Sequence, residues 1–200
     1  MGGYRDLQNR IDRGEVIIMD GAIGTELQHM GAPMDPWSWA AAPLVAHQAT
    51  VQFMHERYIR AGAEVIITNT YSSQRHNLVP MGLSDMTAEL NRRAVLLAQQ
   101  ARDRAARDRP VYIAGAVSNF GLITGADAAG TGADFAGVPN QPLGRRPTIT
   151  EEQSRANLRE QAEILAESGV DFILGESTGG ITHRKWVAEA CSSVGLPYWV

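Results

Sequence analysis

Two carboxylates stand at or just past the ends of apolar runs. Val16-Ile17-Ile18-Met19 leads directly into Asp20, and Phe172-Ile173-Leu174 is followed two residues later by Glu176. A carboxylate at the end of a buried strand has to find a hydrogen-bond partner, a counter-charge or water. For Asp20, a ligand contact and a structural hydrogen bond meet that demand equally well. Two such acids on one rim suit the ammonium group of an amino acid, and they equally suit a metal ion or a general acid–base pair. Asn69, Thr70 and Tyr71, which follow Val65-Ile66-Ile67, add polar groups to the same rim, although Thr and Tyr are also common in strands for packing.

The neighbours of these residues narrow the chemistry. Gly21 and Gly24 permit a tight strand-to-helix turn after Asp20 and a close approach of backbone N–H groups to an anionic ligand. The same glycines serve any such turn for steric reasons, and Gly-Ala-Ile-Gly has neither the GxGxxG pattern nor the Walker lysine of nucleotide sites. Trp37 and Trp39 lie in the Pro-rich stretch PMDPWSWAAAPL. An indole there either faces a cationic ligand such as a sulfonium or anchors the loop. His29, His47, His55, His76 and His183 show no ligand spacing, and His47 and His55 read as helix-surface residues. Cys191, within VAEACSSVG, reads as a small packing residue.

Residues at strand ends need a sheet to align them. Residues 16–19, 65–67, 111–114, 172–174 and 198–200 are short continuous apolar runs, as in parallel strands buried on both faces. Apolar spacing predicts a helix over 45–60, with Val51, Met54 and Tyr58 on one face, and a second over 86–109. The six arginines of that second stretch (Arg92, Arg93, Arg102, Arg104, Arg107, Arg109) read as a solvated face. Thr150-Glu151-Glu152-Gln153 is a capping box opening a third helix that stops near Gly169. AGAEVIITNT and SGVDFILGES repeat one pattern, with Asn69 and Glu176 at the same offset from their glycines. Strand and helix alternate, so the C-terminal strand ends share one side of the sheet, carrying Asp20, Asn69, Thr70, Ser118, Asn119 and Glu176. An open doubly wound sheet and a closed (β/α)8 barrel both satisfy this pattern. Residues 121–147 are dominated by Gly and Pro and predict a loop over that rim.

Composition removes several classes of function. Eighteen basic against 22 acidic side chains, a net charge of -4, leave no basic surface for nucleic acid. No apolar run approaches the roughly 20 residues of a membrane span, and the N-terminus lacks a signal-peptide pattern. One cysteine excludes an intrachain disulfide, which makes a cytoplasmic location the expectation.

The combination resembles the homocysteine S-methyltransferase family. MDGAIGTEL resembles its opening Asp-Gly-Gly-x-Gly-Thr strand, with Ala22 in place of the second glycine. WAAAPLVAHQATVQFMHERYIRAGAEVIITNTY is similar to its Trp, helix, Ala-Gly-Ala and Thr-Asn-Thr-Tyr succession. AGAVSNFG matches its third strand loosely, with Ser118-Asn119 where Gly-Pro is usual, and SGVDFILGEST is similar to the strand ending on the substrate-binding Glu. The resemblance implies an α/β (β/α)8 TIM-barrel fold. A barrel takes about 250 residues, so this chain would cover roughly the first five βα units as one domain, 1–200, incomplete at its C-terminus.

The resemblance also implies methyl transfer from a donor such as S-methylmethionine or S-adenosylmethionine to the thiol of homocysteine, forming methionine. Asp20 and Glu176 would hold the amino group, backbone around Gly21 would position the carboxylate with Asn69 and Thr70 lining the mouth, and Trp39 would lie beside the methyl donor. Ser72 lies about where the betaine-using branch supplies another aromatic, which disfavours betaine. Zinc is the implied cofactor. Its three cysteine ligands belong to later strands of the family barrel, and Cys191 matches none of them. The implied partners are a small thiol amino acid and a methyl donor, with neither nucleic acid nor membrane, and a homo-oligomer is compatible. The competing readings are another TIM-barrel enzyme with a phosphate-bearing substrate, and a non-catalytic partial barrel lacking the zinc site.

Overall fold

The computed structural model describes residues 3–107, 109–122 and 148–200. Before the sheet come α1 (Tyr4–Asp12), α2 (Ile23–His29), α3 (Pro43–Ala46) and α4 (Gln48–Ala61). Then follow β1 (Val65–Ile67), α5 (Arg75–Leu78), α6 (Thr87–Ala105), β2 (Tyr112–Val117), α7 (Glu151–Glu167), β3 (Phe172–Gly175), α8 (Ile181–Ser192) and β4 (Tyr198–Trp199). The strands form one parallel sheet in the order β1-β2-β3-β4. A doubly wound sheet reverses its strand order at a switch point, whereas a barrel adds each strand beside the last. The chain is therefore the first part of a (β/α)8-type wall, with α4, α6, α7 and α8 packed one against the next.

Side-chain alternation along the strands gives the sheet two apolar faces. Ile66, Ile113, Val117 and Ile173 point to the helix layer, where they meet Val95, Leu158, Leu165 and Val187. Val65, Ile67, Tyr112, Ala114, Ala116 and Phe172 line the other face. α1 plugs the N-terminal end of that inner face with fully buried Leu7, and Tyr4 accepts a 2.9 Å hydrogen bond from Trp199 Nε1. With one end plugged, the polar strand ends sit at the other.

Three expectations are corrected. Residues 16–19 make a single parallel bridge, Met19 to Val65, instead of a full strand, and Val16 is 79% exposed. The segment lies outside β1 with no described strand on its far side, so its apolar side chains lack the second packing surface that an interior strand has. The 45–60 helix is two helices broken at His47, whose φ/ψ of -120°/39° is not helical. The 86–109 helix ends at Ala105, and Arg109 turns back to donate to the carbonyls of Ala63 (2.8 Å) and Ile59 at the end of α4. That arginine satisfies helix-terminal carbonyls in place of standing in solvent. The capping box is as expected, with Thr150 Oγ1 accepting from Gln153 N–H at 3.1 Å and Gln153 Oε1 from Thr150 N–H at 3.0 Å. The loop expected over 121–147 falls, from residue 123 onward, outside the described residues.

Candidate functional site

Asp20 ends its segment by taking the place of a ladder carbonyl. Its N–H donates to Val65 O at 2.9 Å, and its Oδ2 accepts the N–H of Ile67 at 2.9 Å. Its Oδ1 is buried and has no hydrogen-bond partner among the described residues. Burial pushes the carboxyl up to about 8, the Ile67 N–H opposes that rise, and the charge of Glu176 adds to it. Both the structural bond and an unmet demand for a partner are therefore present, one on each oxygen.

Glu176 follows β3, and its N–H continues the ladder to Val117 O at 2.9 Å. Burial pushes its carboxyl up to about 7. The sheet register pairs Ile67 with Ala114 and Ala114 with Phe172. That register sets Ile67 level with Phe172, whereas equal offset from the glycines would set it level with Leu174, so Glu176 stands about two residues further along the sheet than its offset suggests. The Tyr71 hydroxyl is pushed up to about 12, chiefly by burial and then by the Glu176 charge. Equal offset from a glycine thus does not mean equal height, because the strands of a barrel are staggered.

Three residues hold the backbone around Trp39. Asp35 Oδ1 accepts the N–H groups of Trp37 and Ser38, each at 2.7 Å, and the Asp35 and Trp39 backbones exchange hydrogen bonds of 3.1 and 2.9 Å. Asn69 Nδ2 donates to Ala40 O at 2.8 Å and Ser72 Oγ to Ser38 O at 2.5 Å. Trp39 adopts φ +43°, a left-handed conformation that costs a bulky residue roughly 1–3 kcal/mol. A Cβ at Gly24 would stand 2.5 Å from its ring, and one at Gly21 would stand 3.0 Å from the Tyr58 hydroxyl. Gly24 is thus needed for the room it leaves the indole, while Gly21 lies in tight contact with the Tyr58 ring. The Trp39 ring lies 6.0 Å from Tyr71 and 6.4 Å from Phe120, and Tyr71 and Phe120 are 5.1 Å apart. Trp39, Tyr71, Asp20 and Glu176, with the buried Phe120 ring backing the two aromatics, bring ring faces and carboxyl groups together at one mouth, a combination that attracts cations.

Asn69 and Thr70 sit behind this mouth. Both are buried, Asn69 holding Ala40 as above, and Thr70 Oγ1 bonding Thr68 Oγ1 and Ala116 O, each at 2.8 Å. From the helix layer, Gln161 Nε2 donates to Thr70 O at 2.8 Å and Asn91 Nδ2 to Ser73 O at 2.9 Å. Phe120 did not stand out in the sequence. Its signal was an aromatic residue three positions past a buried strand, on the same rim, and its carbonyl is held by His76 Nε2 (2.8 Å) and Asn77 Nδ2 (3.0 Å). His55 corrects the surface reading. It is fully buried on α4, with both ring nitrogens unpartnered among the described residues, and burial holds its pKa down at about 4.

The described residues do not fit a zinc site. No group of three or more His, Cys, Asp or Glu among them could hold a metal. Cys191 is buried in the helix-to-sheet core, and burial pushes its thiol up to about 12, the opposite of a metal-ready thiolate. No helix among the described residues is long and apolar enough to cross a membrane.

Comparison with known proteins identifies the family of the chain. A family model described as homocysteine S-methyltransferase matches residues 17–200. Homocysteine S-methyltransferase 1 of Zea mays is 29% identical over all of this chain and 62% of its own length. The selenocysteine methyltransferase of Astragalus bisulcatus is 30% identical over 82% of this chain and 51% of its own. The crystal structure of the metallated homocysteine methyltransferase MmuM from Escherichia coli is similar with a TM-score of 0.76 at 25% identity, covering 96% of this chain and 65% of that one. The chain thus spans between half and two thirds of the length of these relatives. With a match that runs through Asp20, the Thr68–Tyr71 turn and Glu176, the chain belongs to the homocysteine S-methyltransferase family.

Proposed function

We propose that this chain supplies the recognition half of a homocysteine S-methyltransferase, with the ammonium group of the amino acid held between Asp20 and Glu176. The observation that carries this reading is Asp20 Oδ1, a buried carboxylate oxygen without a described partner, within the field of the half-buried Glu176. Burying two carboxylates costs free energy unless a cation neutralises them, and an α-ammonium group brings one positive charge and three donors. Backbone at Gly21 faces the carboxylate of the same amino acid. Asn69 and Thr70 shape the mouth from behind.

Trp39 and its aromatic neighbours face the methyl donor, a sulfonium such as S-methylmethionine or S-adenosylmethionine. In the transfer the donor's methyl–sulfur bond breaks as the new bond to the acceptor sulfur forms, and the donor leaves as a neutral thioether. The sulfonium charge therefore exists only on the donor before transfer, where electron-rich ring faces favour it. Zinc belongs to this proposal as the group that turns the acceptor thiol into a thiolate. Its ligands are not among the described residues, whose part is to bind and orient. The reading carries a cytoplasmic location.

The test is calorimetric titration of the full-length protein with homocysteine, alongside its zinc content. Asp20→Ala and Glu176→Ala each weaken binding at least about tenfold, as expected for removing one partner of a buried charged contact, while zinc content stays constant. Unchanged affinity in both variants would overturn the assignment.

A further inference from the structure

The hydrogen bonds around Trp39 divide the rim differently from its order in the sequence. Asn69 and Ser72 belong to the turn after β1, one residue either side of Thr70-Tyr71, where side chains would be expected to reach the ligand. Both reach backwards. Asn69 Nδ2 donates to Ala40 O at 2.8 Å and Ser72 Oγ to Ser38 O at 2.5 Å, so they grip the residues on either side of Trp39. Asn69 is 3% and Ser72 2% exposed, which leaves neither side chain open to a ligand. Trp39 between them holds a left-handed backbone at φ +43°, which a bulky residue keeps only when its surroundings impose it. Gly24 completes the socket, since any larger residue there would meet the indole at 2.5 Å.

We propose that Asn69, Ser72 and Gly24 are positioning residues for Trp39, and that they govern affinity for the cationic methyl donor and not for the thiol amino acid. This rests on the reading of Trp39 as the donor-facing residue given above. Tyr71, between the two gripping residues, packs its ring 6.0 Å from that of Trp39 and also lies in the field of Glu176. One short turn therefore serves both halves of the mouth, with Tyr71 turned toward it and Asn69 and Ser72 turned away.

The experiment measures, in the full-length protein, KM for S-methylmethionine and the dissociation constant of homocysteine for the same set of variants. Asn69→Asp keeps the size of the side chain and removes its N–H donor, Ser72→Ala removes the hydroxyl, and Ser72→Thr restores it. Gly24→Ala pushes on the indole without touching either hydrogen bond. The expected result is a rise in KM for S-methylmethionine of about tenfold in Asn69→Asp and Ser72→Ala, the size of a lost buried hydrogen bond, and a rise of similar order in Gly24→Ala from displacement of the indole. Homocysteine affinity stays within about twofold, Ser72→Thr is rescued, and the tryptophan emission spectrum shifts in the three impaired variants but not when Trp39 is first replaced by Phe. Loss of homocysteine affinity in Asn69→Asp, or no change in either constant, overturns the inference. Asp20→Ala and Glu176→Ala serve as controls: if they leave homocysteine binding intact, the reading of the mouth fails by itself, whatever the socket variants do. Should Asn69→Asp fail to fold, Gly24→Ala and Ser72→Ala carry the same decision.

Discussion

Asp20 gives one carboxylate oxygen to the Ile67 amide at 2.9 Å and keeps the other buried without a partner among the described residues. That division makes one side chain both a piece of the sheet and the most demanding group of the mouth. Its proton is held up to about pH 8, and that of Glu176 up to about pH 7, because burial disfavours both charges.

Binding of an ammonium group is accordingly coupled to proton release. A carboxyl that keeps its proton cannot pair with a cation, so affinity rises as pH passes upward through 7 and 8. With methionine as a thiol-free probe, the expected tightening approaches about tenfold per pH unit for each proton released between pH 6 and 8. Calorimetry in buffers of different ionisation enthalpy measures that release, and a pH-independent affinity contradicts it.

The same shift has the opposite sign for stability. Asp20 has an ordinary value of 3.8 when unfolded and about 8 when folded, so the native state binds its proton more tightly. The stability that this protonation confers is present below pH 4 and is lost as pH rises from 4 to 8. Asp20→Asn removes that loss. The melting temperature of the variant should match the native one near pH 4 and exceed it by more than about 10 °C at pH 8 to 9. A gap that does not change with pH would show that burial of the charge is not its cause.

Gly115 is set by the helix layer. A Cβ there would stand 3.2 Å from both Leu165 and Val170, so β2 and α7 pack closely only across a glycine. Gly115→Val is expected to cost about 1–3 kcal/mol by overpacking. Denaturant unfolding reads this directly, and a neutral result would mean that the contact relaxes freely.

Cys191 offers a control on the metal. It is buried in the core with its thiol pushed up to about 12, which is unlike a zinc-ligand thiolate. Cys191→Ala should leave zinc content unchanged, and iodoacetamide should label the native thiol only after unfolding. A loss of zinc on substitution would contradict its structural placement.

Much of the frame is legible in the residues. Continuous apolar runs marked β1, β2, β3 and β4, the Thr150 capping box marked the start of α7, and strand-end polarity marked a rim holding Asp20 and Glu176. These signals are local: each depends on side chains within a few positions of one another, and the chain carries them wherever it packs.

Three features needed the assembled fold. Residues 16–19 resemble an interior strand, yet pair only at Met19, because pairing depends on what lies on either side. His55 has the spacing of a surface histidine and is buried, because α4 is covered on more than one side by its neighbours. Asn69 and Glu176 share a sequence offset, and register sets Glu176 two residues higher. The sequence alone set Asp20, Asn69, Thr70 and Glu176 at or just past strand ends, and Phe120 joined them only in the fold. Which of the rim's side chains face the mouth, and which turn back to hold Trp39, was decided by strand stagger and by contacts between residues some 30 positions apart.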